Sequence, residues 1–506
     1  MWRQGIPYCI PMLFADDFTL LCRSTNFALI QKCIQNSTNK LMSWSKLSGF
    51  RFSSSKTNLL IFNQKIKSQK ISINIGDRTI QDQPRVKVLG ITFDSKASWI
   101  PHIQNLKNSI NSRLNIIKIL AHTSWGAQSS TLLKIHKAFI LSKMDYGAPL
   151  LSTAKVSHLN SLETIHNTGI RLSIGAFHSS PIPSIHAIAG IPSLATRWEE
   201  QTSKKAAKMS RLPRDSTYHP KYSSNNIYTK YDLENIIPAE TPLCPHWSFS
   251  MNIDLDLHQF PKKFTCPNTF KNLFKEKLSL THTHTQIYTD ASLSEGRVGM
   301  AIIHDDNQIQ WRLSEKCSIY TAEALAIFKA IKYTISEINN NNITIYSDSL
   351  STLTSLKNVQ NSTEVVRKIH NAHYKAYLSG KNISYSWIPG HCCIDGNERA
   401  DKAAKQAYTN TNILYSYLFS YSDIKKVIER DTCQQWETQW NNMTTKLNEI
   451  KRSILPWTFP VNTPRKYETA INRLRIGHTR LTHAHLIKKE DPSFAYAVES
   501  LLQSNI

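Results

Sequence analysis

In the second half of this chain, three strand-like runs are followed directly by a helical repeat, and only a few fold classes accommodate that order. The runs at 285–292, 297–306 and 308–315 are separated by Gly or Asp-Asn turn signals, which predicts an antiparallel meander of three strands. The stretch 321–338 then places apolar residues at steps of three, four and seven, which predicts a helix with Thr321 as its N-cap.

Strands and helices continue to alternate after this helix. The pattern predicts a buried-type strand, two helices, another strand and a last helix, at 342–349, 349–358, 362–378, 383–389 and from Ala400 onward. The order βββαβαβα with mixed pairing is typical of a three-layer α/β domain of about 130 residues. We therefore expect a mixed five-stranded sheet in this part of a multidomain α/β chain.

Four acidic residues fall where these predicted elements begin or end. They are Asp290 at the middle or end of the first strand, Glu323 in the first turn of the first helix, Asp348 at the end of the fourth strand and Asp401 at the start of the last helix. Each acid alone is typical of a cap or a turn. Beside a hydrophobic strand, a carboxylate costs several kcal/mol unless something offsets its charge. Divalent cations with oxygen ligands do so, and the four acids together indicate a metal site.

Four segments of this region carry a family resemblance. "IYTDAS", "TAEALAI", "IYSDS" and "WIPGHCCIDGNERADKAAK" resemble type 1 ribonuclease H in order and spacing, over about residues 284–407. The resemblance implies an RNase H-like fold and cleavage of the RNA strand of RNA/DNA hybrids with two Mg²⁺ ions, or with Mn²⁺. It also implies that His391 is the histidine of a mobile loop that assists product release or proton transfer. The implied metal-binding and catalytic acids are Asp290, Glu323, Asp348 and Asp401.

The His391-Cys392-Cys393 run invites a zinc interpretation. Three adjacent residues are too close together to supply a tetrahedral site alone, and no second pair of ligands occurs nearby in the sequence. We therefore expect no zinc at this loop. An Asp at position 401 at the start of a helix would also be electrostatically favourable, so a simple N-cap role for Asp401 stays compatible with the metal interpretation.

Near the start of the chain, "PMLFADDFTLLCRS" (11–24) places Asp16 and Asp17 between two apolar runs, which predicts a β-hairpin with the two acids at its tip. Together with 41–62 and 86–103, this segment resembles the palm motifs of jockey-like non-LTR retrotransposon reverse transcriptases. Such a palm needs a third metal-binding acid from an earlier strand, and the sequence contains none. We expect a truncated remnant in which the Asp pair is vestigial and reverse transcriptase activity is lacking.

Four regions follow from these patterns. We predict a truncated reverse transcriptase palm and thumb over 1–180, a Pro-rich connection over 181–283, a type 1 RNase H domain over 284–408 and a helical, basic C-terminal region over 409–506. In the jockey-like group, the stretch 105–152 would correspond to the thumb.

The charge of the chain is unevenly distributed. Residues 281–410 hold 13 Lys+Arg and 12 Asp+Glu, whereas the whole chain has a formal net charge of +24. Basic flanks around a neutral segment favour a polyanionic partner, and we expect an RNA/DNA hybrid and other nucleic acid to be bound. The oligomeric state is not indicated.

Composition also bears on the compartment. No stretch approaches the roughly 20 apolar residues that span a bilayer, and Pro, Gly and Gln interrupt the N-terminus, so we expect no membrane partner and no secretion. A nuclear or cytoplasmic protein is predicted. The alternative to a nuclease is a non-catalytic, nucleic-acid-binding remnant of a decayed element, in which the acids survive without productive geometry.

Overall fold

The computed structural model describes residues 9–62, 71–213, 226–248, 250–360, 362–408 and 413–479, and the fold is reported for these. Residue contacts divide the chain into two units. Unit 1 comprises Met1–Glu199 and Trp436–Ile506, and unit 2 comprises Glu200–Gln435. Because the described residues end at 479, the predicted C-terminal region 409–506 lies partly outside them. No helix in the described ranges is long and apolar enough to cross a bilayer.

The strands are short and form one large sheet and three hairpins. In chain order they are β1 Cys9–Phe14, β2 Asp17–Cys22, β3 Ser72–Ile75, β4 Arg78–Gln81, β5 Arg85–Val88, β6 Ile91–Asp94, β7 Asn252–Asp254, β8 Thr285–Ser294, β9 Arg297–His304, β10 Asn307–Leu313, β11 Asn342–Ser347, β12 Asn382–Trp387 and β13 Leu414–Ser416.

The α-helices are more numerous than the strands. In chain order they are α1 Phe27–Ser48, α2 Ile100–Leu120, α3 Ser129–Ile135, α4 Ser142–Asp145, α5 Ala148–Leu151, α6 Val156–Ile174, α7 Ile182–Ala189, α8 Leu194–Met209, α9 Ile227–Lys230, α10 Pro267–Leu280, α11 Ile319–Glu337, α12 Leu350–Leu356, α13 Glu364–Leu378, α14 Asp395–Gln406, α15 Tyr421–Asn441, α16 Lys446–Ile450 and α17 Arg465–Ile476. A π-helical segment, His136–Leu141, joins α3 to α4.

Unit 2 is built on a mixed sheet with the strand order β13-β10-β9-β8-β11-β12-β7. Strands β8, β9 and β10 form the predicted antiparallel meander, and β11 and β12 continue the sheet in parallel with β8. The prediction of five strands is wrong in number, because β7 and β13 extend the two edges. Each of these edge strands has only three residues, too few to show an alternating pattern.

The long helix α11 covers one face of this sheet. It begins at Ile319, and the side chain of Ser318, rather than the predicted Thr321, caps it by accepting a hydrogen bond from the Thr321 backbone N–H. Nearly every residue from Thr321 to Ile331 is buried, since the helix packs against β8, β9 and α13. The earlier start places Glu323 in the second turn rather than the first.

Helix α14 covers β8 and β9 and begins earlier than the sequence indicated. It starts at Asp395 and not near Ala400, so Asp401 lies inside the helix and is not its N-cap. Gly396 hides the true start, because glycine is a poor helix former. The glycine is required there, since a Cβ would lie 2.4 Å from Cε2 of Tyr288.

The predicted connection, 181–283, contributes regular structure to both units. Helix α7 belongs to unit 1, whereas β7 and α10 belong to unit 2, where Phe274 of α10 packs edge-on against Tyr346 at a centroid distance of 5.1 Å. Scattered prolines masked these elements in the sequence. The domain boundaries that we predicted stay predictions.

Unit 1 contains the predicted N-terminal hairpin. Strands β1 and β2 pair in antiparallel register with Phe14 opposite Asp17, and a two-residue turn of Ala15 and Asp16 connects them. The prediction that both acids lie at the tip is therefore wrong for Asp17, which is the first residue of β2. Ala15 takes the left-handed conformation that such a tight turn requires, with φ of 50°. The larger apolar core of the unit lies among its helices, and α2, α6 and α7 each contribute several of its buried side chains.

Candidate active site

Asp290, Glu323 and Asp348 come together at one end of the central strands. Asp290 lies within β8, and Asp348 directly follows β11, whose last residue Ser347 pairs with Thr289. Helix α11 packs on β8 and presents Glu323 to the same place. One carboxylate oxygen from each acid lies within 4.8 Å of the others. The parallel pairing of β8 with β11 therefore converts two distant acids into neighbours.

These three carboxylates are poorly solvated. Asp290 is 5% exposed and Glu323 is 7% exposed, while Asp348 is partly buried. Asp290 Oδ1 accepts a hydrogen bond of 2.7 Å from the Ala291 backbone N–H. Glu323 Oε2 is buried and has no hydrogen-bond partner among the described residues. An unpartnered buried oxygen of this kind needs a donor or a cation.

The electrostatics of the three acids agree with their burial. Desolvation and the neighbouring Asp348 raise the pKa of Asp290 to about 8. Desolvation, followed by the charges of Asp290 and Asp348, raises the pKa of Glu323 well above its ordinary value. Burial also raises the pKa of Asp348. Without a cation, the three groups cannot all ionise at neutral pH, so the donor set fits divalent cations with oxygen ligands.

Asp401 lies beside this group but outside it. Its Oδ2 accepts a hydrogen bond from Lys405 Nζ at 2.7 Å and lies 3.8 Å from His391 Nδ1. Asp401, Glu398 and His391 form a second set of ligand atoms within 4.8 Å of one another. Because the charge of Asp401 raises the pKa of Asp290, the two acids interact electrostatically. The structure therefore divides the four predicted acids into three plus one.

The loop after β12 positions His391 beside Asp401 and close enough to Asp348 to affect its pKa. Gly390 approaches Asp348 so closely that a Cβ would lie 2.4 Å from Asp348 Oδ2. His391 and Cys393 both have positive φ, near 57° and 58°, a conformation that is uncommon outside glycine. The side chain of His391 is 67% exposed, so it can reach a ligand in solution.

Three charged residues of this site had escaped the sequence interpretation. Glu398 and Lys405 lie three residues before and four residues after Asp401, so a correctly placed start of α14 would have put them on the same helical face. Lys262, whose charge lowers the pKa of Asp348, lies in the predicted connection, and no local signal marks it.

Other predicted candidates lie apart from these groups. Cys392 is buried and Cys393 is exposed, and neither belongs to a metal-ligand set within the described ranges. Asp16 is in the exposed turn of the hairpin and Asp17 begins β2. This pair also has no third ligand grouped with it in the described part of unit 1.

Comparison with known proteins places this geometry in context. The family model described as RNase H matches residues 282–409, a range that contains all four acids and His391. The RNA-directed DNA polymerase from mobile element jockey of Drosophila melanogaster is 23% identical over 164 residues, which cover 32% of this chain and 18% of that protein. The matched part is thus less than a fifth of the relative's length.

Two solved structures illustrate the similarity of this region. The RNase H1 from the halophilic archaeon Halobacterium salinarum NRC-1 is 20% identical, and the match covers 24% of this chain and 96% of that chain with a TM-score of 0.20. The LC11-RNase H1, isolated from compost and solved in complex with an RNA/DNA hybrid, is 16% identical, with 24% and 96% coverage and a TM-score of 0.20.

Proposed function

Residues 282–409 are an RNase H domain within a chain related to non-LTR retrotransposon reverse transcriptases, and on that premise we propose that the protein is a metal-dependent endonuclease that cuts the RNA strand of RNA/DNA hybrids. The observation that carries the proposal is the approach of the Asp290, Glu323 and Asp348 oxygens to within 4.8 Å in a buried position. Such a cluster is electrostatically costly by itself and is relieved by divalent cations.

The donor atoms favour magnesium. All come from carboxylates, which are hard oxygen ligands that suit Mg²⁺ and also admit Mn²⁺. Asp290, Glu323 and Asp348 would hold one ion, and Asp401 would help to hold a second. When bound, two such ions activate a water at one side of the phosphodiester and stabilise the leaving oxygen at the other.

The side chains of the chain itself have separate tasks. Asp290 and Glu323 lie within β8 and α11, and Asp348 directly follows β11, so regular structure fixes the positions of these carboxylates. His391, exposed and 3.8 Å from Asp401, would transfer a proton near the leaving group or assist the product's departure. The 2′-hydroxyls of the RNA strand would distinguish it from DNA.

The partner class follows from the charge distribution. Nearly all of the net charge of +24 lies outside residues 281–410, where cations can contact phosphates without regard to sequence. An RNA/DNA hybrid, and other nucleic acid bound by the basic flanks, is the partner that we propose. Such a partner implies a nuclear or cytoplasmic location.

The test is cleavage of a hybrid whose RNA strand is labelled, by the full chain, in Mg²⁺ and in EDTA. The full chain is needed because β7 and β13 lie outside residues 281–410. Asp348→Asn is the test variant, and Asp305→Asn, whose aspartate side chain is 84% exposed and belongs to neither acid group, is the matched control. We expect Mg²⁺-dependent cutting by the wild type and the control and none by the test variant.

The contrary result is also informative. If the folded wild-type chain binds the hybrid but does not cut it in Mg²⁺ or Mn²⁺, the nuclease proposal fails. A role as a non-catalytic nucleic-acid-binding protein then becomes the better account.

A further inference from the structure

The helical core of unit 1 contains a third set of potential metal ligands, unrelated to the nuclease site. His136, His166 and His186, from the π-helical segment, α6 and α7, are 0%, 0% and 3% exposed. Glu163 precedes His166 by three residues on α6, so the two side chains share a helical face. One ligand atom each from Glu163, His166 and His186 lies within 4.8 Å of the others.

The hydrogen bonds of His186 leave a lone pair directed at this cluster. Its Nδ1 donates to the Ile191 carbonyl at 2.7 Å, so Nε2 of the neutral ring carries no proton. Nε2 faces Asn167 Oδ1 at 2.8 Å and Glu163 Oε1 at 3.7 Å. Three electron-rich atoms therefore converge in the core.

Glu163 has an oxygen that the protein does not satisfy. Its Oε2 accepts a hydrogen bond of 2.9 Å from the Leu194 backbone N–H. Its Oε1 is buried and has no hydrogen-bond partner in the described part of unit 1. The unpaired oxygen points to a missing positive group, because a buried carboxylate oxygen without a donor or a cation is costly.

A purely hydrogen-bonded network explains less of this arrangement. In such a network, the amide of Asn167 is turned so that its nitrogen donates to His186 Nε2. That change satisfies His186 but leaves Glu163 Oε1 without a partner. A proton on Glu163 does not help either, because the 3.7 Å separation from His186 Nε2 exceeds hydrogen-bond distance.

We propose that Glu163, His166 and His186 bind one Zn²⁺ ion. Asn167 Oδ1 is the fourth donor. Two imidazoles, a carboxylate and an amide oxygen suit zinc better than magnesium, because nitrogen ligands disfavour Mg²⁺. Zinc bonds of about 2.0–2.1 Å at tetrahedral angles separate ligand atoms by roughly 3.3 Å. The 2.8 and 3.7 Å distances about His186 Nε2 bracket that value.

His136 would act behind His166 rather than on the ion. His136 Nε2 and His166 Nδ1 are 3.0 Å apart, which leaves His166 Nε2 for the metal in place of its 3.2 Å contact with the Pro192 carbonyl. A proton on His166 Nδ1, donated to His136, fixes the ligand tautomer. The two rings together keep the same number of protons, because His136 then carries its own on Nδ1, a buried atom without a hydrogen-bond partner among the described residues.

Two guanidinium groups lie near enough to lower the pKa values of these histidines. Arg197 acts on His136 and His166, and Arg171 acts on His186. Arg197 is paired with Asp145 at 2.9 Å, so most of its charge is offset. His166 and His186 are almost completely buried and the Glu163 side chain is 23% exposed, so the zinc ion has a structural role in joining α6 to α7. The proposal is independent of the nuclease.

The test measures zinc in the purified full chain, with variants chosen to preserve the fold. In His186→Asn, the amide can still donate to the Ile191 carbonyl, but the Nε2 ligand is lost. Glu163→Gln has the same shape without the charge. His102→Asn is the matched control, because His102 is a buried histidine of the same unit that accepts from the Thr92 backbone N–H through Nδ1 and lies outside the cluster.

After dialysis against zinc and then buffer, we expect about one zinc ion per chain in the wild type and His102→Asn, and a loss of it in His186→Asn and Glu163→Gln. Asp290→Asn should keep the zinc, which separates this site from the acidic one. Cobalt(II) in place of zinc should give the intense visible absorption of a tetrahedral site with nitrogen ligands.

Either of two results would overturn the proposal. One is a folded wild-type chain, verified by circular dichroism, that holds no zinc after this treatment. The other is zinc retained by Glu163→Gln, which is isosteric and keeps the test valid even if His186→Asn does not fold. In that case the cluster is a hydrogen-bonded network only.

Discussion

Replacing Asp290 by Asn should stabilise the metal-free protein at neutral and alkaline pH. The pKa of Asp290 rises from 3.8 to about 8 on folding, because burial and Asp348 disfavour its charge. Below about pH 4 the group is protonated in both states and contributes nothing. As the pH rises from about 4 toward 8, the unfolded chain loses this proton while the folded chain keeps it, so the free energy of unfolding falls.

The magnitude follows from the size of this shift. One pKa unit corresponds to about 1.4 kcal/mol. At pH 7 only the interval between the unfolded pKa of 3.8 and pH 7 counts, so the protonation of Asp290 in the folded state costs at most about 4 kcal/mol. Water entry and side-chain rearrangement reduce it, and we expect Asp290→Asn to raise the free energy of unfolding by about 2–4 kcal/mol at pH 7 in EDTA. For a unit of this size, that is roughly 5–15 °C in the unfolding temperature.

Hydrogen exchange of peptides from β8 and β11 in the full chain, in EDTA at pH 5 and pH 8, reports the local stability of this sheet. Thermal unfolding at the same two pH values provides a second readout. Added Mg²⁺ should stabilise the wild type and have little effect on Asp290→Asn, because the cation offsets the same repulsion. The exposed-site control Asp305→Asn should follow the wild type. A variant as stable as or less stable than the wild type at pH 8 in EDTA would refute this reasoning.

Three further predictions concern the same site and its partner. Lys405→Met should reduce the Mg²⁺ concentration for half-maximal cleavage severalfold, because it frees Asp401 from a 2.7 Å ion pair, whereas the control Lys402→Met should not. An unchanged Mg²⁺ titration would argue against competition between Lys405 and the metal for Asp401. Gly390→Ala should lower kcat/KM at least about tenfold, because the added Cβ would lie 2.4 Å from Asp348 Oδ2 and displace the loop or the carboxylate; wild-type kinetics would show that the approach is not needed. Hybrid binding by an inactive variant, followed by fluorescence anisotropy, should weaken roughly tenfold or more between about 50 and 200 mM salt, and a flat salt response would exclude phosphate contacts as its main source.

The positions of the three clustered acids could be predicted because each adjoins an apolar run with a clear period. The runs that form β8 and β11 contain the isoleucine, tyrosine and threonine residues typical of strands, and Asp290 and Asp348 each directly follow one of the paired residues Thr289 and Ser347. Once these strands are parallel neighbours, the acids must meet. The local pattern therefore carried enough information to assemble the centre of the site.

Features that depend on distant contacts could not be predicted in the same way. Strands β7 and β13 contain three residues each and exist only because the edges of a sheet are available to them. The start of α14 was hidden by Gly396, which is present because Tyr288 occupies the space of a side chain. Because the predicted helix began too late, the ion pair of Asp401 with Lys405 on the same helical face was not predicted either.

The histidine cluster of unit 1 shows the same limit. His136, His166 and His186 lie 20 or more residues apart along the chain, and no ligand spacing links them. Packing of the π-helical segment with α6 and α7 brings them together. Residues that face each other only through helix packing leave no periodic signal in the sequence.

The most direct test of the nuclease is a hybrid whose RNA and DNA strands carry different fluorophores, so that both are followed in one reaction with the full chain. In Mg²⁺, only the RNA signal should shift to shorter products. We expect no cleavage of either strand when EDTA is added or when Asp348→Asn replaces the wild type. Undiminished RNA cleavage by Asp348→Asn would contradict the assignment of the buried acids as the catalytic centre, and cleavage of the DNA strand at a comparable rate would contradict the proposed specificity for RNA.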